Sequence, residues 1–98
     1  MAVKSFKLAQ TGSAISVAAA STYARWIVFL NYAAAAMYVS DANVSSSQGD
    51  YLAPVASNVP GRIYYGPLGD SSMHYDLGQF STTGTSTQNL CVIYDAMN

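Results

Sequence analysis

Residues 25–41, Arg-Trp-Ile-Val-Phe-Leu-Asn-Tyr-Ala-Ala-Ala-Ala-Met-Tyr-Val-Ser-Asp, constrain this chain more than any other stretch. Trp26 to Leu30 is the longest run of large apolar residues, and Trp26 is the only tryptophan. Such a run, apolar on both faces, fits a central strand or one whose outer face is covered by a partner. Its alternation is read with Trp26, Val28 and Leu30 toward the core and with Ile27 and Phe29 on the other side. Asn31-Tyr32-Ala33-Ala34 turns the chain, and Ala35 to Ser40 makes the next strand, with Met37 and Val39 inward and Tyr38 outward. A helix over 32–39 would have only about two turns, which is marginal in isolation.

The remainder follows the same rhythm of short apolar runs between turn-formers. Ser13 to Ala18 alternates polar and apolar residues, and Asp41 to Gly49 is a polar loop. Tyr51-Leu52-Ala53-Pro54 is stopped by its proline, which cannot donate to a ladder. Arg62 to Tyr65 is bracketed by glycines, Gly69-Asp70-Ser71 turns the chain, and Met73, Tyr75 and Leu77 alternate with His74 and Asp76. Ser81 to Asn89 reads as a flexible polar tip, and Leu90 to Tyr94 closes the domain. Seven to eight short strands separated by such signals predict an all-β fold, a small antiparallel β-sandwich with a jelly-roll-like layout. The expected core is Trp26, Val28, Leu30, Met37, Val39, Ile63, Tyr75, Leu77 and Val92. Residues 13–98 form a single domain, and residues 1–12 are an edge strand or an extended arm that adds to a neighbour's sheet.

Composition excludes several classes of function. With four Lys and Arg residues and a net charge of −1, no basic stripe exists to displace phosphate counterions, so no nucleic-acid partner is expected. One cysteine allows neither a disulfide framework nor a multi-cysteine metal site. Residues 15–39 are long enough to span a bilayer as a helix. Arg25 would then lie near mid-span at about 3 kcal/mol, so no membrane association is expected. Met-Ala-Val-Lys lacks the apolar stretch of a secretory signal, which places the chain where it is made or in a particle assembled there.

No residue set reads as catalytic, and no cofactor or metal is expected. His74 and Asp76 share a strand face, too few ligands for a metal, and read as a solvated pair. Cys91 lies within Leu-Cys-Val-Ile-Tyr and reads as a buried, inert thiol. Asp41, Asp50 and Asp70 sit beside Ala, Gly or Ser and read as turn residues.

Charged residues are 9% of the chain, against about 25% in ordinary domains, and there are eight tyrosines. Tyrosine serves a sheet and a contact surface equally well. Phe6, Leu8, Tyr38, Tyr51 and Tyr64 are the expected protein-contact residues.

One recurring order of elements stands out: Trp26-Ile-Val-Phe-Leu-Asn31, Ala33 to Ala36, Met37-Tyr-Val-Ser-Asp41, Ser45-Ser-Ser-Gln-Gly49 and Leu52-Ala-Pro54. This order resembles a group of small bacteriophage virion proteins with a β-sandwich fold. Asp76-Leu77 and Val92-Ile-Tyr94 extend the likeness over residues 13–95, and Ser40 departs from the glycine often found at that place. The resemblance implies a capsid decoration or cement protein on the outer surface of the phage head, stabilising contacts between major capsid subunits. The implied partner is the major capsid protein, with clustering as a homo-oligomer, a trimer at three-fold positions. The alternative is a neck, tail or fibre module that binds host glycan or protein through loops 41–50 and 81–89.

Overall fold

Short runs with period-two alternation, each cut off by Gly, Pro, Asn or Ser, have no length in which to wind a stable helix, so they pair instead. In a computed structural model that describes residues 2–69 and 73–97, they form nine strands. These are β1 (Ala2–Ala9), β2 (Ile15–Ser16), β3 (Tyr23–Asn31), β4 (Met37–Ser40), β5 (Asp50–Leu52), β6 (Gly61–Tyr65), β7 (Tyr75–Asp76), β8 (Ser81–Thr83) and β9 (Asn89–Ala96). One 3-10 turn, Leu77–Gln79, follows β7. The strands make two antiparallel sheets, one of five strands in the order β1-β9-β3-β6 with β7 also on β3, the other of four in the order β2-β8-β4-β5. Packed face to face, they are the small all-β sandwich that the pattern predicts. No helix among the described residues is long and apolar enough to cross a membrane. The turn expected at Gly69-Asp70-Ser71 reaches residues 70–72 and lies outside the described residues.

Between the sheets lie Ile27, Phe29, Met37, Leu52, Leu77, Leu90 and Val92, all fully buried, with Val39 beside them. Ile63, Tyr75, Phe6 and Leu8 are partly buried against this cluster. Phe29 is ringed by aromatics, with Tyr65 edge-on at 5.9 Å and Phe80 at 6.0 Å.

The inward face of β3 is the opposite of the one expected. Ile27 and Phe29 fill the core, whereas Trp26, Val28 and Leu30 are half-buried on the outside. Two features set this phase. Asn31 ends the strand facing inward, fully buried, where its Nδ2 donates to the carbonyls of Ala35 (2.9 Å) and Leu52 (3.3 Å) and its Oδ1 accepts from the Ala33 N–H (2.8 Å). Counting back by two from Asn31 brings Phe29 and Ile27 inside. A bulge between Ala24 and Ile27 then inserts one residue, so that Ala24 is buried as well.

The Asn31 corner also brings the sheets together. Gly61 pairs with Asn31, and a Cβ there would lie 1.8 Å from the Ala53 carbonyl oxygen, so only glycine lets β6 pass the end of β5 this closely. Ser81 to Thr83, expected in a flexible tip, is instead strand β8 inside the smaller sheet. Thr82 is fully buried there, its hydroxyl donating to the Gln10 side-chain oxygen at 3.2 Å. At the opposite end of the chain, residues 2–9 are an edge strand of the larger sheet, paired with β9 from Ala2↔Ala96 to Ala9↔Asn89.

Candidate functional site

The pairing registers map the outer face of the larger sheet row by row. On β9, Leu90, Val92 and Tyr94 are buried in the core, so Cys91, Ile93 and Asp95 take the other side. One row runs Ser5, Ile93, Val28, Tyr64 across β1, β9, β3 and β6, and the next runs Lys7, Cys91, Leu30, Arg62. A third pairs Val3 with Asp95, which stands against the bulged Arg25 and Trp26. The centre of this face is therefore Trp26, Val28, Leu30, Cys91 and Ile93, all half-buried, with Val3 65% and Tyr64 51% exposed beside them. A one-sided antiparallel sheet ordinarily carries polar residues on its outside. Here the outside is apolar.

Charge gathers at the margins of that centre. Lys7, Arg25 and Arg62 are three of the chain's four Lys and Arg residues, and Arg62 lies over the Tyr64 ring at 5.4 Å. Lys4 pairs with Tyr94 and so belongs to the opposite side of β1. Near Lys7 the face runs into a hollow of about 530 Å³ lined by Tyr32, Ala33, Gln88, Asn89 and Cys91, where the buried Gln88 Oε1 has no hydrogen-bond partner among the described residues.

The smaller sheet presents a different surface. Tyr38 pairs with Tyr51 on one side and Thr83 on the other, and the two tyrosine rings meet edge-on at 5.7 Å. Loops 41–50 and 81–89 flank a groove of about 670 Å³ lined by Tyr38, Ser45, Ser46, Thr83, Thr85 and Ser86 among others, with no charged side chain among the described residues of its lining. Its chemistry is hydroxyl and backbone amide over an aromatic floor.

The expected contact residues do not gather in one place. Phe6 and Leu8 turn inward and pack on the core, because their partners across the ladder are the buried Val92 and Leu90. They are corrected from contact to core residues. Tyr38 and Tyr51 belong to the outer face of the smaller sheet and Tyr64 to that of the larger one. Trp26, Val28 and Leu30, expected in the core, instead make up the larger outer face. The available signal was a run apolar at every position, which a strand buried on only one side has no need of.

The polar residues have structural work. Asp76 caps the 3-10 turn, its Oδ1 accepting from the N–H groups of Gly78 and Thr22, each at 2.9 Å. These two backbone bonds, the Thr22 one first, hold its carboxyl below the usual carboxylate range. His74 lies with its ring 4.6 Å from that of Tyr23. Tyr65 donates its hydroxyl to Asp50 at 2.5 Å, a bond between β6 and β5, and burial first, then this bond, pushes its phenol far above the ordinary value. Among the described residues no group of three or more His, Cys, Asp or Glu is placed to hold a metal ion.

Because the folded-state pKa of Asp76 lies below its unfolded value of about 4, its charge stabilises the fold above that pH. The contribution is lost as pH falls through the lowered pKa. Asp76→Asn should therefore melt below the wild type at pH 7, with the gap closing as pH falls below about 4 and through the lowered pKa. A gap in melting temperature of equal size at both ends would mean that the carboxylate charge contributes nothing.

No protein-family model matches the chain, and neither the curated proteins nor the solved structures contain a match to it.

Proposed function

We propose that this chain is a non-enzymatic structural component of a bacteriophage particle, a decoration or cement protein that binds the outside of the head and stabilises contacts between major capsid subunits. The observation that carries the reading is the apolar outer face of the larger sheet, built on Trp26, Val28, Leu30, Cys91 and Ile93. A contiguous apolar patch on a small soluble-sized domain marks a surface that meets another protein. Three strands of eight or nine residues and one of five, about 4.8 Å apart, span roughly 480 Å². That is below the ~800 Å² per partner of a standard interface. Flanking residues such as Tyr32 must add to it, and repetition over many equivalent shell positions would multiply the effect. The order of motifs from Trp26 to Pro54 supports a virion setting, and clustering of several copies, a trimer among them, belongs to the same proposal.

The polar groove between loops 41–50 and 81–89 favours a second reading, a neck, tail or fibre module that takes host glycan or protein over Tyr38. Quantitative mass spectrometry of purified particles separates the two. A copy number close to that of the major capsid protein is expected for decoration. A few copies per particle would move the chain to neck or tail, and its absence from particles would overturn both.

A further inference from the structure

The outer face of the larger sheet has a charge pattern as specific as its apolar centre. We infer that this face docks on a partner surface whose own apolar patch is ringed by carboxylates, and that the partner is not a second copy of the chain meeting it face to face. The inference deepens the docking reading above and rests on it. Lys7 stands on the β1 edge and Arg62 on β6, in the same cross-sheet row with Cys91 and Leu30 between them. Three strand spacings separate the two cations, about 14 Å. Arg25 marks the other end of β3, five residues from Leu30 along the strand and so roughly 15 Å from that row. Each separation exceeds the screening length of about 8–10 Å at physiological salt, so each cation acts on its own carboxylate.

No exposed carboxylate among the described residues shares this face with the cations. Asp95, which lies on it, is only 8% exposed beneath the bulge. Asp41 follows β4 and Asp50 opens β5, both in the other sheet, while Asp76 is held by backbone N–H groups. Two copies pressed together by this face would gather six cations in one interface with no exposed carboxylate among the described residues to meet them, which disfavours the pairing. An unlike surface bearing Asp or Glu around an apolar patch meets every group: the Trp26, Val28, Leu30 and Ile93 centre supplies the burial, and the cations fix orientation and speed association.

The test uses undecorated shells of the major capsid protein from the virus that encodes this chain, titrated with the full-length protein and followed by co-sedimentation and by Trp26 fluorescence. Lys7→Glu and Lys4→Glu make the same change of net charge on opposite sides of one strand, and Arg62→Glu repeats it at the far edge. Lys7→Glu and Arg62→Glu should each weaken binding by at least about tenfold at 50 mM salt, the loss shrinking toward 500 mM, with Lys4→Glu near wild type. Equal weakening by Lys4→Glu and Lys7→Glu would overturn the inference, since net charge alone would then explain it. Wild-type affinity in all three variants, together with loss of binding in Val28→Ser, would remove the carboxylate ring and leave docking by this face standing. A dimer in sedimentation velocity that Val28→Ser dissociates would replace the unlike partner with a second copy. Failure of the wild type to bind shells would overturn the capsid reading and the inference together.

Discussion

Phe29→Ala is expected to cost the fold about 3–5 kcal/mol, and Trp26→Ala, three residues earlier in the same strand, only about 1 kcal/mol. Phe29 is fully buried and touches Tyr65 and Phe80, so its loss leaves a cavity walled by rings that cannot close over it. Trp26 is half-buried on the outer face, where truncation leaves a dent open to water and no cavity. The order is the reverse of what the residues' sizes imply. Urea unfolding of the two variants, read by far-ultraviolet circular dichroism and fitted with a shared m-value, measures both. A Trp26→Ala variant as destabilised as Phe29→Ala would mean that the face carrying Trp26 is packed, and the docking surface would go with it. Trp26→Ala also separates stability from assembly: it should fold and yet lose most of its affinity for its partner.

Removal of residues 1–9 is expected to abolish cooperative folding. An extended arm could be cut away without harm to the domain, but β1 is paired with β9 along its whole length. Without it, the inward row of β9 loses the cover of Phe6 and Leu8, worth about 2–4 kcal/mol of apolar burial for two partly buried side chains. β9 would also become an open edge, with its outward-pointing backbone groups unpaired. These losses stand against a total stability of about 5–15 kcal/mol for a domain of this size. The truncated chain should show no cooperative melt, and a synthetic peptide of residues 1–10 should restore one when added. A truncated protein that melts within a few degrees of the full chain would make β1 an accessory.

Much of the architecture is legible in the residues. Pro54 and the Gly66-Pro67 pair follow the ends of β5 and β6, and Gly61 opens β6, because proline lacks a donor and glycine packs little, and both properties are local. The strands at 37–40, 51–52, 61–65 and 90–94 follow from such punctuation. β8 was not legible, since Ser-Thr-Thr is the composition of a loop and becomes a strand only because Ile15, Val39 and Thr82 pair across the smaller sheet. The surfaces divide in the same way. That β3 is apolar on both sides is written in Trp-Ile-Val-Phe-Leu, which fits a central strand, as β3 is, or one with a covered outer face. Which side that is was not written there.

What the sequence by itself determined is the class of fold, all-β and antiparallel, the place of most strands and the lack of a basic stripe or cysteine framework. These depend on properties of residues and their near neighbours: period, turn chemistry and charge count. The tertiary structure alone decided which side of β3 faces the core, that residues 2–9 belong to the larger sheet, and that Lys7, Arg25 and Arg62 surround one apolar face. A strand's two sides are equivalent until something distant distinguishes them. Here that is Asn31, fully buried with its Nδ2 on the Leu52 carbonyl, a bond that exists only once the sheets have met, and its inward direction sets the phase of every residue back to the bulge.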